Sequence, residues 1–582
     1  MLSIISFLSS LAKKHIVGHF CNNQTASFPY RRLELNRRQI RILLLLPGRR
    51  QDPIRCALQT AFLDDAPIYQ ALSYVWGDPL DCRPIELDGK AIKVTVNLHN
   101  ALRRLRCSIR VQRLWVDAIC INQTDDAEKS HQVNLMKEIY SRSSKAILWL
   151  GDFSDDSDTK PAGRNQIASQ TALAAFQSIH SMAKNKHLSN KQLDGSGHPA
   201  KGDIYALSCL FELPWWHRVW TVQEAVLPGE ATIMCGTLQI PWSQFAMAHQ
   251  HFEDHYEDYS ATDDLRTFWN QMMALRAASR GSTIPEFPIA ALNMFRLRHA
   301  TDPRDRVYAF LGLSDVMPAD YSVNHEEAFK LWVLAGIRKS GCLSPLLRVP
   351  ESGRSPTLPT WVPDWCATVD WKHHHAEMWR LLSYSHYKAA GETVPSVRTG
   401  VTDSVLELSG LVVDQIVEVG EQLGSKEGLL NRVAQWQAIA KHHPISSSNL
   451  HLGKLRREAA WRTLLADVWF TANSKTGRID PSVDAGEVAK TMYPLGGTSE
   501  MYSRRRKGFT TTAGRLGVGS ADAQVGDVVC VFLGGKMPFI LRRADTGGKG
   551  VFYRFVGEAY VHGIMDGQAL DEGRPLEWIS LV

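Results

Sequence analysis

Residues 218–226 read RVWTVQEAV, and residues 114–121 read LWVDAICI. Each run is largely apolar and holds one carboxylate, Glu224 in the first and Asp117 in the second. A carboxylate inside an apolar element has to be hydrogen-bonded, paired or placed at a site. Where it lines a cleft, its charge can stabilise positive charge developing on a substrate. Read as a helix, 218–226 puts Val219, Val222 and Val226 on one face, with Trp216, Trp220 and Glu224 on an adjacent stripe at four-residue steps. Glu224 then either faces a cleft or is solvated and paired with Arg218, and the residues alone leave both readings open.

In an open α/β sheet, ligands collect beyond the carboxyl ends of the strands. Trp76, Gly77 and Asp78 follow the apolar run YQALSYVW, and Asn122 and Gln123 follow the run that carries Asp117. These residues are expected to line one crevice, where Trp76 would stack a base and Asp117 would bind a ribose hydroxyl. The alternatives are a core tryptophan and a buried aspartate that holds loop N–H groups. No GxSxG, HExxH or P-loop word occurs, which removes the usual support for a serine hydrolase, a zinc protease or a Walker ATPase. GRLGVG (514–519) lacks the dinucleotide order and reads as a turn. His373, His374 and His375 are adjacent, so regular structure cannot aim all three at one ion, and no metal is expected.

The elements that would position these residues follow from periodicity. QIRILLLL (39–46) reads as a buried strand, and Asp88-Gly89 between alternating apolar residues reads as a hairpin. Asn97 is expected to cap a helix through Leu105, 114–121 to form a strand, Asp125 or Asp126 to cap a second helix, and 145–151 to return as a strand. Strands alternating with amphipathic helices imply an α/β domain with a mostly parallel, twisted sheet. Pro214 is expected to open a helix that contains 218–226 and ends at Pro228-Gly229. The reading divides the chain into a loosely ordered segment at 1–38, an α/β domain at 39–230 with a polar insertion at 152–203, a helical middle region at 231–400, and a β-rich, barrel-like domain with a helical insertion at 401–582.

Lys and Arg number 66 against 60 Asp and Glu, a net charge of +6 that gives no general field for nucleic acid. The basic run Arg504–Lys507 is expected to be a solvated loop. The 10 cysteines are scattered without a CxxC pair, which fits a reducing, cytoplasmic setting. LSIISFLSSLAKK near the N-terminus is too short to span a bilayer and carries its lysines on the wrong side for a secretory signal, so a loose or surface-lying helix is expected and no membrane span.

The sequence resembles the fungal heterokaryon incompatibility (HET) domain family. YQALSYVWGD (69–78), LWVDAICINQ (114–123) with the helix through MKEIYSRSSKAILWLG, and RVWTVQE (218–224) stand in the family's order. ATDPRDRVYAFLGL, LPTWVPDW, GDVVCVFLGG and GEAYVHGIMDG look like the extended family architecture, which ends in a barrel-like domain. HET domains in turn resemble Toll/interleukin-1 receptor (TIR) domains, some of which hydrolyse NAD with a glutamate. The TIR word of Trp, Cys, two residues and Glu is similar to Trp220–Glu224, with Thr221 in place of the cysteine. The resemblance implies a flavodoxin-like sheet and an effector of non-self recognition that triggers growth arrest or cell death. It makes Glu224 the candidate catalytic residue of an NAD glycohydrolase, with NAD as a substrate rather than a held cofactor. It also implies an unidentified protein partner and self-association, and it leaves a non-catalytic interaction module as the alternative.

Overall fold

The computed structural model describes residues 28–154, 166–184, 201–255, 269–273, 276, 287–347, 353–369, 374, 383–399, 404–422, 458–470, 476–492, 506–545 and 550–582. The chain forms two compact units that interleave along the sequence. The first comprises Met1–Ser282, Arg298–Thr301 and Tyr308–Val323, and the second comprises Thr283–Leu297, Asp302–Val307 and Asn324–Val582. Among the described residues no helix is long and apolar enough to cross a membrane.

The first unit is α/β. Its strands are β1 (Gln39–Leu45), β2 (Arg55–Phe62), β3 (Gln70–Tyr74), β4 (Cys82–Leu87), β5 (Lys90–Thr95), β6 (Gln112–Trp115), β7 (Lys145–Ser154), β8 (Gln166–Ala168), β9 (Ala231–Cys235) and β10 (Leu238–Pro241). They form one sheet in the order β10-β9-β7-β3-β6-β1-β2-β4-β5, with β8 against β7. The sheet is mixed. It is parallel through β6-β3-β7-β9 and antiparallel where β1 meets β2 and β6, and where the hairpins β4-β5 and β9-β10 close. The parallel centre accounts for the near-continuous apolar runs of β3 and β9, since such strands are covered on both faces. At the β4-β5 turn Asp88 and Gly89 both have positive φ, 49° and 75°, as a type I′ hairpin requires.

Three expectations about these elements are corrected. The run 114–121 is not one strand: β6 ends at Trp115, and Asp117–Cys120 forms a single helical turn. Asn97 does not cap its helix, which spans Val96–Leu105 with Thr95 at the N-cap. The Asn97 amide instead donates to the Val75 carbonyl at 2.6 Å and accepts from the Trp149 indole at 2.9 Å. The stretch 214–226 is not one helix but a 3₁₀ turn, Pro214–His217, an extended Arg218, and a short helix, Thr221–Val226. Asp125 does cap the helix Asp126–Asn134, accepting from the Glu128 N–H.

In the second unit, β11 (Val397–Thr399), β12 (Leu406–Gln422), β15 (Arg506–Thr511), β16 (Leu516–Ser520), β17 (Val528–Phe532), β18 (Phe539–Ala544), β19 (Phe552–Val561) and β20 (Glu577–Leu581) share a sheet, while β13 (Val468–Phe470) and β14 (Thr476–Arg478) pair separately. The pairing runs β12-β15-β16-β19-β18-β17 and returns to β12. The strands enclose Leu411, Val413, Phe509, Val529, Val531 and Ile540. Before the sheet, the helix His325–Ser340 is capped by Asn324 and ends at Gly341 in the left-handed region. Arg506, expected in a solvated loop, begins β15 and is buried, ion-paired with Glu558. Residues 516–519 of GRLGVG belong to β16 rather than to a turn. Residues 1–27, residues 423–457 within the region where a helical insertion is expected, His373 and His375 lie outside the described residues. His374 is buried and contacts the Asn293 carbonyl.

Candidate functional site

Glu224 occupies the first turn of the helix Thr221–Val226, every residue of which is buried. The solvated reading is overturned: Glu224 is 6% exposed. Its carboxylate accepts a hydrogen bond from Ser73, in β3, and the Ser73 hydroxyl accepts in turn from the Trp215 indole at 2.9 Å. Trp215 and Ser73 are themselves buried, so the chain from indole to hydroxyl to carboxylate is closed off from water. Burial is the main force on Glu224 and pushes its pKa from 4.5 up to about 7. The positive charge of Arg218 opposes this, the negative charge of Asp117 adds to it, and hydrogen bonds from Ser73 and Tyr140 pull it back. At neutral pH this glutamate is poised between its acid and its carboxylate.

Asp117 lies where β6 gives way to the helical turn. Its Oδ2 accepts from the Trp76 indole at 2.8 Å and its Oδ1 from the Ala118 N–H at 2.7 Å. Burial raises its pKa too, against the pull of Arg218 and of the Trp76 hydrogen bond. Gln123 donates from Nε2 to the Asp117 carbonyl at 3.0 Å and so fixes the turn that carries the carboxylate. The Arg218 guanidinium, 5.5 Å over the Trp76 ring, donates to the Tyr74 carbonyl at 3.3 Å. The buried Tyr74 hydroxyl faces Asp117, short of a hydrogen bond.

The structure thus gathers Trp76, Asp117 and Glu224 about the cation of Arg218, with Gln123 behind Asp117. Gly77, at φ 84°, makes the bend that follows Trp76. The other expected residues are engaged locally. Asp78 is exposed and accepts from the Leu80 N–H in its own turn, and Asn122 accepts from the Thr124 N–H and hydroxyl. Trp220 is buried, and its carbonyl accepts from the Glu224 N–H at 3.3 Å. Sequence reasoning missed Ser73, Tyr74, Tyr140 and Trp215. Ser73 had a signal, since it is the polar interruption of ALSYV.

The loop that presents Asp117 is anchored from β1. Arg41, at the middle of that strand, is buried and makes a two-pronged ion pair with Glu128, Nη1 to Oε1 at 2.5 Å and Nη2 to Oε2 at 3.0 Å. Arg41 also donates to the Cys120 carbonyl, and Glu128 accepts from the Asn122 N–H. The pair therefore holds the segment 117–123 at Cys120 and at Asn122.

Asp117→Ala is expected to cost about 1–3 kcal/mol, because it strands the Trp76 indole and the Ala118 N–H. Asp81→Ala, at an exposed aspartate in a surface pair with Arg83, should stay within about 0.5 kcal/mol of the parent. Urea midpoints of the full chain separate the two, and equal midpoints would remove any special role for Asp117.

Trp76, Asp117, Arg218 and Glu224 all fall within residues 69–224, the stretch that matches the family model described as Heterokaryon incompatibility protein (HET). Residues 454–578 match the Het-6 beta-barrel domain. The resemblance to the heterokaryon incompatibility (HET) family is thus borne out over these two stretches. It is 26% identical over 655 residues, covering 91% of this chain and 94% of the relative, to Heterokaryon incompatibility protein 6, OR allele, of Neurospora crassa. No solved structure matches the chain.

Proposed function

We propose that this chain acts in non-self recognition between fungal individuals and that its HET domain is an effector that arrests growth or kills the cell by hydrolysing NAD. The family and the Neurospora relative support the incompatibility role. The observation that carries the hydrolase reading is Glu224, a buried glutamate with a pKa near 7 that shares one cluster with Asp117, Arg218 and Trp76. Cleavage of an N-glycosidic bond passes through an oxocarbenium-like ribose, which a carboxylate stabilises as the base departs. In this reading the ionised Glu224 supplies that charge, Asp117 holds a ribose hydroxyl and Trp76 stacks the base. The sheet plays the part that a TIR-like fold plays, the action lies in the cytoplasm, and the C-terminal β-rich region senses a protein partner or restrains the effector.

A second reading has one observation in its favour. The Glu224 carboxylate is already hydrogen-bonded inside the fold, as a purely structural residue would be. The HET domain would then work by self-assembly or partner docking. The test is NAD consumption by the purified full-length chain, scored beside toxicity on overexpression in a fungal host. The hydrolase reading expects both, and killing without NAD loss would hand the role to docking.

A further inference from the structure

Arg298 lies beyond the stretch that matches the HET family, yet it packs onto the corner that builds the Glu224 site. That corner runs from His217 to Thr221, and Arg218 within it is extended, at φ −87° and ψ 137°. The residue after Arg298 pairs with it as a one-rung parallel bridge. The His299 N–H donates to the His217 carbonyl at 2.6 Å, and the Val219 N–H donates to the His299 carbonyl at 3.0 Å. The Arg298 side chain is 5% exposed, and its Nη1 donates to the Arg218 carbonyl at 3.3 Å and to the Thr221 hydroxyl at 3.1 Å. The Thr221 hydroxyl reaches the carbonyls of Trp215 at 2.9 Å and of Arg218 at 2.7 Å.

We propose that Arg298 is a positioning residue of the Glu224 site, acting through the corner that carries Arg218 and through the Trp215–Ser73 pair rather than by touching a substrate. Arg218 brings the nearby positive charge and Trp215 fixes the hydroxyl on which Glu224 leans, and Arg298 with Thr221 ties both to one point. Its long donor fork suits this task, because one planar head serves two acceptors at once. The groups facing Glu224 are Ser73, Tyr74, Tyr140, Asp117 and Arg218. Of these, Arg218 alone is a cation, so a shift of the corner is felt as a loss of positive charge.

The assignment rests on the hydrolase reading only for its effect on turnover, so the deciding measurement does not use NAD. In the full chain, Glu224 is titrated through the carboxylic-acid infrared band that is absent from Glu224→Gln. Arg298→Gln is expected to raise the midpoint of that band by about one unit or more, since an opposite charge within reach is worth that much. Arg298→Lys, which keeps the charge and loses the fork, should shift it by less. Thr221→Val removes no charge, so an upward shift there reports geometry alone, and it serves as the test if Arg298→Gln does not fold. A wild-type midpoint retained in either folded variant, or a wild type with no such band, overturns the proposal. Absence of NAD turnover in the wild type would remove the hydrolase reading and leave the titration result standing.

Discussion

Glu224→Gln is expected to keep the chain folded while cutting NAD turnover by about a hundredfold or more, the usual effect of removing one electrostatic group from a transition state. The substitution is close to isosteric and has a similar helix propensity. The wild-type rate should rise with pH through about 7, where Glu224 ionises, and the variant should lack that rise. Stability should run the other way. The folded pKa lies above the ordinary 4.5, so the folded state holds a proton that the unfolded chain has released. The associated stability is complete below pH 4.5 and is lost as pH climbs through 7, a change of about 3 kcal/mol. Glu224→Gln abolishes this term, so relative to the wild type it should gain stability between pH 5 and pH 8 in urea titrations. A constant difference across that range would place Glu224 in a far wetter environment than the one described. A variant that stays fully toxic would remove it from catalysis.

Arg41→Met and Glu128→Leu, made singly, are each expected to destabilise the chain by about 3–5 kcal/mol, because each leaves its partner charged and buried. Made together they should cost far less than the sum, since the desolvation penalty leaves with the pair. The double-mutant cycle, read from urea midpoints, therefore shows a large coupling energy. Near-additive losses would mean that water reaches the pair and that the ladder from β1 to the 117–123 segment carries little strength. The single variants should also impair function, because Cys120 and Asn122 lose the contacts that set the turn under Asp117.

What could be read from the sequence follows the range of the interactions concerned. The β4-β5 hairpin was legible because Asp88-Gly89 and the alternation about it specify a local turn. The strand β1 and the start of the helix at Asp125 were legible for the same reason, although the single helix expected there is broken at Leu135 into two, Asp126–Asn134 and Met136–Arg142. Asp117 was noticed because it breaks an apolar run, but the run was read as one strand, and only the Ala118 N–H and Gln123 contacts reveal the helical turn. The stretch 218–226 holds no Gly or Pro, so nothing local announces the break at Arg218. That break depends on His299, far along the chain, and the burial of Glu224 depends on Ser73 and Trp215 in the same way. Arg506 was misread because its basic neighbours suggested a wet loop, whereas its partner Glu558 lies on another strand.

The interleaving of the two units has a genetic consequence. Residues 298–301 are stitched into the first unit, while the residues immediately before and after them belong to the second. A single crossover between two alleles anywhere from 225 to 297 would therefore join the His217–Thr221 corner of one parent to the Arg298–His299 strap of the other. Where the parents differ at these positions, the recombinant inherits a mismatched clasp, although every residue of each motif is intact. A breakpoint beyond Val323 leaves the first unit, clasp included, wholly from one parent.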